Sequence, residues 1–150
     1  MPSLEWSILA QGFSIDRTTN SLSIFNAIED ILIPPDVADP EPGQQIAIGP
    51  SFVLLQLWSR ETPDVPEVAE GRVTVVSPNQ SEMGAGTFTI DLKPSARTRT
   101  ITALPFLPYV GPGIYRLVID IKMGESWQKF SEISLSVVKQ ITAQTQGANK

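Results

Sequence analysis

The chain has no cysteine and no histidine. The first absence excludes a disulfide scaffold and a thiolate nucleophile. The second excludes a histidine-dependent triad, and together they exclude the usual zinc sites. Basic residues are also scarce: 11 lysines and arginines face 16 acids, for a net charge of −5. That balance offers no electrostatic footprint for nucleic acid. No apolar run approaches the length of a membrane span. The opening residues Met1, Pro2, Ser3, Leu4, Glu5 and Trp6 carry no basic region ahead of an apolar stretch. A secretory signal is therefore not expected, and the expected compartment is the cytoplasm. What the chain does have is 150 residues, 41 % of them hydrophobic, punctuated by 13 prolines and 10 glycines. That is enough for one domain with a core of its own.

Period-two alternation predicts an all-β fold. Tyr115, Leu117, Ile119 and Ile121 alternate with Arg116, Asp120 and Lys122, the pattern of a strand with one face on a core and one in water. Phe130, Ile133, Leu135 and Val137 repeat it against Glu132, Ser134 and Ser136. The short turn at Gly124 should join the two as a hairpin. Leu4, Trp6, Ile8 and Ala10 form a further inward series, and residues 21–33 read as one long strand ending at Pro34 and Pro35. Residues 52–58 are apolar at both parities, as in a central strand covered on both faces. Val73 with Val75, then Phe88, Ile90 and Leu92, mark two more strands; the Thr/Arg alternation of 96–104 marks another whose inward face is ambiguous. About eight strands result, and the prediction is a single antiparallel β-sandwich of Ig-like or C2-like Greek-key layout over residues 1–140. Residues 141–150 read as a flexible polar tail.

Pro112, Gly113 and Tyr115 carry the sharpest local signal. A Gly-x-Tyr entering a strand after a Pro/Gly turn resembles the tyrosine corner of Greek-key sandwiches, where the hydroxyl bonds back to the preceding connection. Gly113 and Tyr115 are thus structural candidates.

Charge is distributed unevenly. Residues 29–70 hold nine acids and one base, and residues 93–150 hold eight bases and three acids. Asp36, Asp39, Glu41 and Asp64 lie in proline-rich loops and are candidate calcium ligands, since hard cations take clustered carboxylate oxygens. The Asp-x-Asp spacing of dense calcium loops is missing, and Pro40, Pro42, Pro63 and Pro66 stiffen the segments, so solvated loops are the simpler reading. Arg97 and Arg99, two apart on one strand face, could grip an anion or protect a sheet edge. No histidine, Ser-x-x-Lys pair or Gly-x-Ser-x-Gly elbow activates a hydroxyl nucleophile. Among 16 acids nothing selects a pair for carboxylate hydrolysis. Trp6 and Trp58 follow inward parity and are expected in the core, while Trp127 starts a strand among polar neighbours and is a weak ligand candidate.

Ile15 to Asp30, containing Asn20, Ser23, Phe25 and Asn26, together with Phe52, Val53, Leu54 and the closing Pro112, Gly113 and Tyr115, resembles a family of small uncharacterised bacterial proteins. The resemblance implies a bacterial β-sandwich and supplies no catalytic or ligand residues; Asn26 would cap or bridge strand backbones. The expected function is non-catalytic protein binding or assembly, with self or another protein, and without a cofactor. A calcium- or lipid-binding C2-like module is the alternative, and a carboxylate hydrolase the third.

Overall fold

The computed structural model describes residues 1–49 and 51–141; the polar tail expected from 141 onward lies, apart from Ile141, outside the described residues. Eleven strands follow in chain order: β1 (Ser3–Ile15), β2 (Leu22–Ala27), β3 (Asp30–Ile33), β4 (Ile46–Ile48), β5 (Phe52–Ser59), β6 (Val68–Val76), β7 (Glu82–Asp91), β8 (Arg97–Leu104), β9 (Leu107–Tyr109), β10 (Gly113–Met123) and β11 (Ser126–Lys139). They form a four-stranded sheet in the order β2-β1-β5-β8, a five-stranded sheet in the order β3-β11-β10-β6-β7, and the small pair β4-β9. The pairings are antiparallel except β3 with β11. The sheets do not close into a barrel. Among the described residues no helix is long and apolar enough to cross a membrane.

The two main sheets share one core. Leu54 and Trp58 come from the first, and Val73, Tyr115, Leu117, Ile119 and Leu135 from the second. Trp58 bridges the layers, its ring 6.1 Å from that of Phe88 and 5.6 Å from that of Phe130. Phe88 in turn covers Gly71, where an added Cβ would sit 2.2 Å from the ring. The β10–β11 ladder jumps from Ser131 to Lys129, so Phe130 is the extra residue of a bulge and turns inward out of parity.

Among the described residues the strands number eleven and not about eight, for two reasons. Residues 21–33 are two strands in different sheets: β2 stops at Ala27, one residue past Asn26 with its φ of 52°, and β3 starts at Asp30 beside β11. The short β4 and β9 close over one end of the core through Leu107 and Tyr109. A second correction concerns β1. Leu4 pairs with Trp58 but Trp6 pairs with Leu57, a bulge of one residue at Glu5. Beyond it the strand's faces exchange, since side-chain period is two. Leu9 opposes Leu54 in the core, while Trp6 and Ile8 share the outer face with Leu57 and Leu55.

On β8 the threonines face inward. Trp58 Nε1 donates to Thr100 Oγ1 at 3.0 Å, Thr100 donates to Gln56 Oε1 at 3.2 Å, and Gln56 Nε2 donates to Ser7 Oγ at 3.2 Å. This chain runs across three strands and supplies the partners that a buried indole N–H and amide require.

Candidate functional site

The site is built by the β1–β2 hairpin. Arg99 stands opposite Leu57, and Leu57 opposite Trp6. A straight β1 would carry Ile15 about 30 Å beyond Trp6, far out of an arginine's reach. Yet Arg99 donates from Nη2 to the Asn20 carbonyl at 2.8 Å and from Nη1 to Asn20 Oδ1 at 3.1 Å. The hairpin therefore folds back over the outer face of the four-stranded sheet, and its tip is tied to β8.

The tip is shaped locally. Asp16 Oδ1 accepts the backbone N–H groups of Thr18 and Thr19 at 2.8 and 3.0 Å, and Asp16 N–H donates to the Ser21 carbonyl at 2.9 Å. Those amides, Thr19 first, hold the Asp16 carboxyl below its ordinary pKa. Asn20 sits at φ 59°, a left-handed conformation asparagine tolerates better than most residues, and this turns its carbonyl toward Arg99.

Between hairpin and sheet lies an open groove of about 1010 Å³. Trp6, Ile8, Leu57 and Ile101 line it from the sheet. Ile15, Leu22 and Ile24 line it from the hairpin. Phe25, on the other face of the hairpin, is 52 % exposed. The two arginines at the groove differ in their partners. Arg97 is engaged by both carboxylate oxygens of Glu5. That guanidinium, followed by the Ser59 side chain, keeps the Glu5 carboxyl below its usual value. Arg99 is half-buried, bonds only to neutral Asn20, and among the described residues pairs with no carboxylate. β8 is the end strand of its sheet, so both arginines also decorate an edge.

The other sequence candidates fall elsewhere. Asp39 accepts from the Tyr109 hydroxyl at 2.7 Å and from Lys139 Nζ at 3.1 Å; these two, Tyr109 first, lower its pKa. Asp36, Asp39, Glu41 and Asp64 are not gathered: among the described residues no three carboxylates stand close enough to hold a metal ion. Trp127 lies on the outer face of the five-stranded sheet, its ring 4.8 Å from the Arg72 guanidinium, which Asp120 holds at 2.8 Å. The charge asymmetry of the sequence is partly cancelled in space, since Glu70 meets Lys122 and Asp39 meets Lys139 across the acidic and basic stretches.

Tyr115 is fully buried at the start of β10, and its hydroxyl accepts from Val110 N–H at 2.9 Å and donates to the Gly111 carbonyl at 2.7 Å. Gly113 is needed twice over: its φ is 144°, and a Cβ would stand 2.8 Å from Pro78. Asn26 donates to the Gln11 side chain at 2.9 Å; that contact replaces the backbone bridge expected of it.

Sequence reasoning missed the groove and its Trp6. The available signal was the run Ile8, Leu9, Ala10, apolar at consecutive positions, which breaks strict alternation in β1. No protein-family model matches the chain, and no match is found among curated proteins.

Proposed function

We propose that the chain is a non-catalytic module that works by protein association, and that the surface it uses is the free edge of β2. One comparison carries this. Of the four strands that end the two main sheets, β8 bears Arg97 and Arg99, β7 bears Glu82 and Asp91, and β3 bears Asp30. Only β2 has neither charge nor proline, and it presents an exposed Phe25. Charges and prolines on an end strand discourage pairing with another chain, and an edge without them accepts it. The partner is β2 of a second copy, because antiparallel pairing of a strand with itself makes a closed, two-fold contact.

Absence of catalysis is supported by the side-chain chemistry. Histidine and cysteine are missing. Every carboxylate among the described residues with a displaced pKa is lowered, whereas a general acid needs one raised. An Ig-like layout is part of the same reading. It is supported by the order β1-β5-β8 facing β11-β10-β6-β7, with β3 parallel to β11, and by a tyrosine pinned at the start of β10. Such a fold hosts many roles, so the free edge and not the fold carries the functional conclusion.

Light scattering over a concentration series at low and high salt tests the proposal. Dimers that persist at high salt and disappear in Phe25→Lys are the expected result. A monomer at every concentration, or a dimer that dissolves with salt, overturns strand pairing, because charge-driven contacts are the ones that salt screens.

A further inference from the structure

Independently of the free edge, we infer that the groove beneath the hairpin is a binding site for a free aliphatic monocarboxylate, with its chain against Trp6, Leu57 and Ile101 and its carboxylate on Arg99. Three observations meet here. The groove, at about 1010 Å³, is at the upper end of the range of small-molecule sites. Its sheet side is a contiguous apolar surface: Trp6, Leu57 and Arg99 occupy one cross-strand row, and Ile8, Leu55 and Ile101 the next. At the end of that surface stands a half-buried guanidinium with no carboxylate partner among the described residues.

Charge complementarity selects the head group. Guanidinium has five N–H donors, and Arg99 spends two of them on Asn20. Its remaining donors are free for an anion, and neither Asn20 acceptor neutralises its charge. Arg97 makes a poorer anchor because Glu5 already occupies it. A single anionic group joined to an alkyl chain satisfies both the charge and the apolar surface. A neutral alkane satisfies only the surface, and a small inorganic anion only the charge.

Trp6 lies in the groove and reports occupancy by its fluorescence, while Trp58 is sealed in the core and Trp127 sits on the opposite sheet. Titration of the full chain below the critical micelle concentration with decanoate, decanol and decyltrimethylammonium is the test. A saturable change with decanoate, at least about tenfold tighter than with decanol, is expected, as for a hydrogen-bonded charge. Arg99→Gln should reduce decanoate to the level of decanol. Because that change also frees the hairpin tip, Ile101→Ser serves as the second variant: it removes apolar surface from the groove without offering Arg99 a carboxylate, and should weaken decanoate binding. Equal affinity for decanoate and decanol, no saturable change, or undiminished decanoate binding in either variant overturns the inference. So does binding to anionic phospholipid vesicles without binding to free decanoate.

Discussion

Replacing Tyr115 with phenylalanine removes one oxygen atom and leaves the buried ring in place, so the packing of β10 against the core is nearly unchanged. What is lost is a pair of hydrogen bonds, one accepted from Val110 N–H and one donated to the Gly111 carbonyl. A typical intramolecular hydrogen bond contributes about 1 kcal/mol net, so the pair contributes about 2 kcal/mol. Val110 and Gly111 are only half-buried, so water can reach the groups left behind and the larger penalty for a sealed orphan does not apply. For a domain of this size 1 kcal/mol moves the melting temperature by about 3 °C, which gives a fall of about 6 °C. With a urea m-value of about 2 kcal/mol/M the midpoint should drop by about 1 M, with m itself unchanged. Equilibrium unfolding followed by tryptophan fluorescence and by circular dichroism measures both quantities. A midpoint within about 0.2 M of the parent would refute the argument, since it would mean the hydroxyl does no more in the fold than in water.

Two further outcomes follow from the same structure. Gly71→Ala drives a methyl into the Phe88 ring, which Trp58 backs, and should cost about 1–3 kcal/mol as overpacking does; Gly12→Ala, whose nearest neighbour would be 3.9 Å away, should leave the urea midpoint much closer to the parent. Equal midpoints for the two variants would remove Phe88 from that role. The Asp39 carboxyl is held below its ordinary value by Tyr109 and then Lys139, so its contribution is present above the unfolded-state pKa of about 4 and lost as pH falls through the folded one. Asp39→Asn should therefore unfold at lower urea than the parent at pH 7, and the gap should close toward pH 3. A gap independent of pH counts against the pairing.

The centre of the five-stranded sheet is legible in the sequence, because β10 and the Ile133–Val137 part of β11 keep strict alternation, while Phe130 reaches the core only through a bulge. The core role of Trp58 is legible as well, at the end of a run that is apolar at both parities. The groove is not. A single bulge at Glu5 exchanges the faces of β1 and moves Trp6 from the core to the outer surface, and a one-residue insertion of this kind leaves no mark in composition. Likewise the stretch 21–33 divides after Ala27, next to the left-handed Asn26, and the β-rich residues on both sides conceal the break. On β8 polarity misleads altogether. Thr100 belongs inside because Trp58 and Gln56 need hydrogen-bond partners there, and Ile101 belongs outside on the groove. The segregation of charge along the chain overstates the polarity of the molecule, since folding brings Lys122 to Glu70 and Lys139 to Asp39.

The polar row from Ser7 through Gln56 to Thr100 has a consequence for how the strands find one another. A purely aliphatic β5 could slide by two residues against β1 or β8 and still present oily side chains to the interior. With Gln56 in the middle, a slide against β1 takes its Nε2 away from Ser7 and leaves that N–H buried without a partner, at about 1–3 kcal/mol, whereas β8 repeats a threonine every two residues and sets no such penalty. The row thus acts as an alignment mark: it adds little to the depth of the native basin, since its groups would be hydrated in the unfolded chain, and it raises the energy of the misaligned sheets that compete with it. A leucine at position 56 would keep the oil and erase the mark.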